Sequence, residues 1–245
     1  PKSAILLENQ RGLTVFKKKP PFRADHVGSL LRPESVVAAR RKFYIDKSIS
    51  AQELKRVEDK AIPDLIRMQE EAGLKAVTDG EARRSFWHYD FMGMLQGLSL
   101  EEREEGVQFS GVKLRPIFPT ITGKLAFPDN HPMLDHFRFV AANTKAVPKI
   151  SIPGPSCCHF RTSPKDIAPV EYKDHQVLFS DIAKVYSKAV MKFYEAGCRY
   201  LQMDDIFFQQ NEQHNLPHLQ VSYNHLYFLN QYFLILLFYR LVFVM

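Results

Sequence analysis

Four short polar clusters each follow an apolar run in this sequence: Gly28-Ser29, Asp79-Gly80-Glu81, Gly154-Pro155-Ser156 and Asp204-Asp205. Carboxylates and turn backbone placed at strand ends are the parts from which a small-molecule site is built, because they give charge-assisted hydrogen bonds of fixed direction. Two further groups contain metal-ligating residue types. In Cys157-Cys158-His159, adjacent side chains on an extended segment point to opposite sides, so the three do not converge on one ion. In His214-x-x-x-His218 the helical spacing is right, but Pro217 sits inside it and no cysteine is near. Neither is expected to bind a metal. Cys198 is expected to pack at the start of a strand.

The elements that must position these clusters alternate between strand and helix. Arg23 to Val27, Leu74 to Thr78, Pro148 to Ile152 and Arg199 to Met203 read as four strands. Ser50-Ala51-Gln52-Glu53 is a capping box, in which hydroxyl and carboxylate satisfy free N–H groups at a helix start. The helix it opens presents Leu54, Val57, Ala61, Leu65 and Met68 on one side, is expected to kink or restart at Pro63, and ends at Gly73. A later helix carries Leu178, Ile182, Val185, Ala189 and Phe193 at helical spacing and stops at Gly197. Residues 86 to 147 form a long excursion with a hairpin expected around Lys113 to Lys124. Successive strand-helix-strand units build a parallel sheet, open or closed as an eight-stranded barrel. The barrel is favoured because no Gly-x-Gly-x-x-Gly follows the first strand. The expected fold is therefore α/β, an incomplete (β/α)8 TIM barrel of about four strand-helix units, with a long insertion after the second strand.

At 245 residues, 45% hydrophobic and 24% charged, the chain can bury the core of one large domain. The net charge of +6 is scattered, with no basic helix or aromatic-interleaved patch, so a nucleic-acid partner is not expected. Three cysteines make no disulfide framework, and the first twenty residues hold no apolar run of signal-peptide length. A cytoplasmic location is the expectation. Residues 206–245 differ in kind: they hold ten aromatics against twenty in the preceding 205 residues, and no Gly, Ala, Lys, Asp or Thr. Their most apolar part, Leu226 to Met245, contains Asn230, Gln231 and Arg240, which makes it a poor membrane span. The sequence thus divides into an N-terminal extension (1–20), a partial barrel (21–205) and an atypical tail (206–245). An altered reading frame or unspliced sequence is the expected source of that tail.

Phe22-Arg23-Ala24-Asp25-His26-Val27-Gly28-Ser29-Leu30-Leu31-Arg32-Pro33, Val77-Thr78-Asp79-Gly80-Glu81-Ala82-Arg83-Arg84, Ile152-Pro153-Gly154-Pro155-Ser156 and Leu201-Gln202-Met203-Asp204-Asp205 together resemble the catalytic domain of cobalamin-independent methionine synthase, in its short single-barrel form. The resemblance covers residues 20 to 205. It implies transfer of a methyl group from a 5-methyltetrahydrofolate, usually polyglutamylated, to homocysteine, giving methionine, with zinc activating the thiol. It also implies that backbone around Gly28 and Ser29 holds the amino-acid carboxylate while Glu81 and Asp204 hold its ammonium. The family's zinc ligands, a His and Cys two apart, an acid and a second Cys, have no counterpart that can be placed here. Catalysis by this chain alone is therefore not expected. His26, Trp87 and Asp205 are further candidates, with Trp87 and Phe86 suited by type to stack on a pterin ring.

Each candidate has a second reading. Glu81 can cap a following helix, Ser29 can be a turn residue, Asp205 a supporting or capping group, His26 a hydrogen-bonded core histidine, and Arg83 and Arg84 solvated surface or a contact to a glutamate tail. For the whole chain, the alternatives to a methyltransferase are an amino-acid-binding half-barrel without catalysis and a membrane-tethered product. A decarboxylase or corrinoid-linked methyltransferase on the same barrel fits the acid pattern less well.

Overall fold

The computed structural model describes residues 25–103, 108–109, 112–113, 117–159, 162, 164–204, 234–237 and 240–244. Helix α1 (Glu34–Tyr44) follows Pro33 directly. Helix α2 (Ala51–Glu71) opens on the expected capping box, with Glu53 N–H donating to Ser50 Oγ at 3.2 Å and Ser50 N–H to Glu53 Oε2 at 2.7 Å. Pro63 does not divide it. A proline inside a helix costs about 3 kcal/mol. Burial of Leu54, Ile62, Leu65 and Ile66 on the same helix offsets that, at about 1.5–3 kcal/mol per side chain. The buried face is also rotated from the expected one: Met68 is 48% exposed, while Glu58, Ile62, Ile66 and Gln69 are buried. Gly73 ends the helix with a φ of +84°, as a left-handed terminator should.

The remaining elements, in chain order, are β1 (Ala76–Val77), α3 (Tyr89–Met92), β2 (Gln96–Glu102), β3 (Gln108–Phe109), β4 (Val112–Lys113), β5 (Ile117–Ala126), α4 (Pro132–Ala142), β6 (Val147–Pro153), α5 (His175–Glu195), β7 (Tyr200–Asp204), β8 (Leu234–Leu237) and β9 (Arg240–Val244). The main sheet runs β1-β6-β7-β9-β8. β1 pairs parallel with β6 and β6 with β7, while β9 pairs antiparallel with both β7 and β8. The chain is thus α/β with a parallel sheet, and among the described residues that sheet is open.

Three sequence expectations need correction. Residues 25–27 do not join the sheet as a first strand. Side chains hold this stretch instead: Lys149 Nζ donates to Asp25 Oδ2 at 2.5 Å and to the His26 carbonyl at 2.9 Å, leaving no strand ladder to form. The hairpin of the excursion is wider than expected, since β5 pairs with β2 and not with the segment just before it. A bulge between Gln96 and Leu98 fixes that pairing. Gly97 has φ +76°, and a Cβ there would lie 2.4 Å from the Lys124 carbonyl oxygen, so only glycine fits. Finally, the tail has no residue alternation that would specify a register, yet its β9 backbone pairs in register with all of β7, from Tyr200 opposite Val244 to Asp204 opposite Arg240. A hairpin can add to a strand edge without the long crossover a parallel strand requires.

The larger core lies between β6 and β7, α5 and the β2–β5 ribbon, with Phe91, Phe137, Ile152, Ile182, Tyr186, Phe193 and Met203 at its centre. The α5 stripe is the one expected: Leu178, Ile182, Val185, Ala189 and Phe193 are all buried, and Gly197 follows with φ +94°. A smaller core joins α2 to β1 and α4 through Ile62, Leu65, Ile66, Val77 and Val140. Among the described residues no helix is long and apolar enough to cross a membrane.

Four histidines are carried inside in the neutral form. Burial lowers the pKa of His131 and brings those of His88, His136 and His159 down to about 4. In the unfolded chain they protonate near 6.5, so the unfolded state binds more protons below that pH. The stability they permit is whole above about pH 6.5 and is lost as pH falls from there toward 4. The urea midpoint is expected to drop steadily across that window; a midpoint flat from pH 7 to pH 5 would contradict the neutral burial of these rings.

Candidate functional site

The strand ends of β1, β6 and β7 converge, and a tight turn after β1 supplies the central side chain. Gln69, buried on α2, substitutes for a strand partner: its Oε1 accepts from Thr78 N–H at 3.0 Å and its Nε2 donates to the Thr78 carbonyl at 2.8 Å. Beyond Thr78 the chain turns sharply. Thr78 Oγ1 accepts from Gly80 N–H at 3.0 Å and Asp79 Oδ1 from Glu81 N–H at 2.9 Å. Gly80 and Glu81 both adopt left-handed backbone, with φ of +63° and +56°. For glutamate that conformation costs roughly 1–2 kcal/mol, and it must be imposed by its surroundings. Arg32 imposes it: Nε donates to the Ala82 carbonyl at 3.2 Å, and Nη2 to the carbonyls of Glu81 at 3.0 Å and Arg84 at 2.7 Å. Arg40 adds a bond to the Arg83 carbonyl at 2.7 Å.

Glu81, only 6% exposed, therefore caps no helix; the next helix, α3, begins eight residues on. Its carboxylate receives Ser29 Oγ at 3.1 Å on Oε2, and Arg84 Nη1 at 3.4 Å and Ser151 Oγ at 3.5 Å on Oε1. Ser29 is thus a partner of Glu81 and more than a turn residue. Gly28, with φ +79°, and His26, whose Nε2 lies 2.7 Å from the Gly28 carbonyl, border the same recess. Thr78, Asp79, Glu81, Arg84, Lys149, Ser151 and Gln202 also line it, and its volume of about 10 Å³ is that of a single water-sized group. Asp204 does not line the recess; it stands beside it, accepting from Gln202 Nε2 at 2.6 Å.

Arg83 and Arg84 are buried, which overturns the solvated-surface reading. Arg83 Nη1 and Nη2 meet Glu58 at 3.2 Å and Asp59 at 2.6 Å, and its guanidinium lies 4.9 Å from the Phe139 ring centre. Arg84 Nη2 donates to the Ser151 carbonyl at 2.5 Å and Nη1 to the Trp87 carbonyl at 3.3 Å. Phe86 is stacked on Tyr89 at 4.8 Å, and Trp87 packs against the larger core beside His88, so neither ring faces the recess. Asp205, His214 and His218 lie outside the described residues.

Among the described residues no group of three or more His, Cys, Asp or Glu side chains is placed to hold a metal ion. Cys157 and Cys158 are buried on a short 3-10 turn, where the Cys158 sulfur lies 3.9 Å from the Tyr186 hydroxyl. Burial pushes the Cys198 thiol up to about 12.

Sequence reasoning missed Arg32, Lys149, Ser151 and Gln202. Gln202 alone carried a legible signal, standing two residues before Asp204 and so on the same face of the strand.

The sequence model described as cobalamin-independent synthase, catalytic domain, matches residues 23–221, continuing past residue 205 where the composition changes. The uncharacterized protein YxjG of Bacillus subtilis (strain 168) is 43% identical over 191 residues, 77% of this chain and 49% of that protein. YxjH of the same organism is 43% identical over 196 residues, 78% of this chain and 50% of that one. Among solved structures, a candidate vitamin-B12-independent methionine synthase from Listeria monocytogenes gives a TM-score of 0.63 at 38% identity, covering 77% of this chain and 53% of that one. A B12-independent methionine synthase from Shewanella sp. W3-18-1, solved with selenomethionine, is alike in fold alone: TM-score 0.51, 19% identity, 71% of this chain and 50% of that one. The chain spans about half the length of the curated relatives it matches. Since the match takes in all three converging strand ends and the turn that carries Glu81, this chain belongs to the cobalamin-independent synthase catalytic-domain family.

Proposed function

We propose that this chain carries the amino-acid site of a homocysteine S-methyltransferase, with β1, β6 and β7 as successive strands of a (β/α)8 barrel wall. The observation that carries the reading is Glu81: a buried carboxylate, on backbone that glutamate resists, lining a recess that Gly28 borders and bonded to Ser29 beside it. Burying such a charge and straining its backbone is costly, and both costs are met by a dedicated set of donors and clamps. The arrangement suits an α-amino acid. Glu81 and Asp204 would receive the ammonium, and the backbone around Gly28 and Ser29 the carboxylate, which fixes the side-chain thiol in one direction.

The methyl donor implied by the family is a 5-methyltetrahydrofolate. A methyl group on a tertiary amine leaves badly, so transfer needs a thiolate nucleophile and a proton for the departing nitrogen. In the family zinc supplies the thiolate. Among the described residues no set of side chains is placed to hold that ion. A second reading is amino-acid binding without turnover.

Calorimetry with L-homocysteine and L-methionine, together with a methyl-transfer assay using methyltetrahydrofolate, separates the two. Binding with transfer supports the enzyme, binding without transfer supports the second reading, and absence of binding by folded protein removes both. Glu81→Gln keeps the shape but loses the charge, and is expected to weaken L-methionine by about tenfold or more, or at least ~1.4 kcal/mol. Unchanged affinity would remove Glu81 from the site. Arg32→Met strips three carbonyls of their donor and is expected to lower unfolding free energy by about 2–4 kcal/mol in urea titrations. A loss below about 0.5 kcal/mol would mean that the turn holds itself.

A further inference from the structure

Gln202 is 1% exposed on β7 and pairs in register with Ser151 of β6, so both side chains border the recess from adjacent strands. Its Nε2 donates to Asp204 Oδ1 at 2.6 Å. Among the described residues its Oε1, also buried, has no hydrogen-bond partner. The orientation of the amide is dictated by Asp204: a carboxylate offers only acceptors, so the NH2 must face it and the carbonyl oxygen must face away. A buried amide oxygen without a donor is costly, and in a folded protein such a group calls for an explanation.

We propose that Gln202 is a further binding residue for the substrate ammonium, accepting one of its N–H bonds on Oε1 while its Nε2 steadies Asp204. This rests on the amino-acid reading of the site. The recess admits one water-sized group, and an –NH3+ is of that size. It donates three hydrogen bonds and accepts none, which complements Glu81 and the orphaned oxygen of Gln202, with Asp204 at the rim. The two cations lining the recess are already engaged. Arg84 is bonded to the carbonyls of Ser151 and Trp87 as well as to Glu81, and Lys149 to Asp25 and the His26 carbonyl. An anionic group in the same place would face the Glu81 carboxylate and a carbonyl oxygen with no donor directed at it.

The test compares wild type with Gln202→Met, which keeps the volume and removes both polar atoms. Calorimetry uses L-methionine and its des-amino analogue, which retains the carboxylate and thioether. The expected result is a loss of about tenfold or more for L-methionine in the variant, with the analogue bound equally by both proteins. An equal loss for both ligands assigns Gln202 a merely structural part and overturns the proposal; no loss for either means the oxygen meets only water and also overturns it. If wild type binds neither ligand, the amino-acid reading itself falls, and this assignment with it. Should the variant not fold, the side-chain amide resonances of Gln202 in the wild type give the answer: methionine shifts them and the des-amino analogue does not, whereas no shift with methionine overturns the assignment.

Discussion

A lysine inside the sheet organises the site. Lys149 is 2% exposed and sits on the central parallel strand, β6, where a lone ammonium would be intolerable. Its partner comes from far away in sequence: Asp25, whose Oδ2 also receives the Tyr200 hydroxyl at 2.6 Å from β7. One carboxylate oxygen thus ties together the segment before α1, β6 and β7. The Lys149 ammonium lies 4.8 Å from the Tyr200 ring centre, which adds an attraction of the cation for the ring face. Because residues 25–27 make no sheet ladder, this ion pair anchors the start of the segment, and the Leu30 N–H bond to the Gly80 carbonyl at 3.0 Å with the Arg32 bonds brings Gly28 and Ser29 beside Glu81. Breaking one half of such a buried pair typically costs about 3–5 kcal/mol, since the other charge stays behind uncompensated.

The same economy of charge shapes the turn after β1. Glu58 receives both Arg40 and Arg83, while Arg32, Arg40 and Arg84 spend donors on main-chain carbonyls. Guanidinium groups suit this, since their planar fork reaches several acceptors from one rigid head. The result is a turn whose shape is set from outside by side chains on α1 and the segment before it. Order in the site therefore depends on the packing of α1 on α2 as much as on the sheet.

What was legible in the sequence was local. The Ser50–Glu53 box, the α5 stripe from Leu178 to Phe193 and the glycines at 73 and 197 each depend on neighbours within a turn or two, and each was readable. The resemblance assigned Ser29 and Glu81 to opposite ends of one amino acid, and the hydrogen bond between their side chains was not read from the sequence. Arg83, Arg84 and Lys149 were not readable, because burial of a cation is decided by acceptors 24 to 124 positions away. For the same reason Arg23 to Val27 looked like a strand: its composition allows one, but at residues 25–27 long-range ion pairing stands where a strand ladder was expected. The rotation of the α2 face toward Glu58 has the same origin, since a glutamate that meets two arginines can be buried where an unpaired one cannot.

At position 81 the needs of the backbone and of the side chain are opposed. A φ of +56° is tolerated best by glycine and next by asparagine or aspartate, and glutamate is a poor third choice. Drift at this codon toward what the backbone favours would trade the long carboxylate for a residue that sits more easily and cannot reach the recess. A descendant chain would thus lose the buried carboxylate while keeping its shape, and sequence similarity across the rest of the domain would give no warning of the loss.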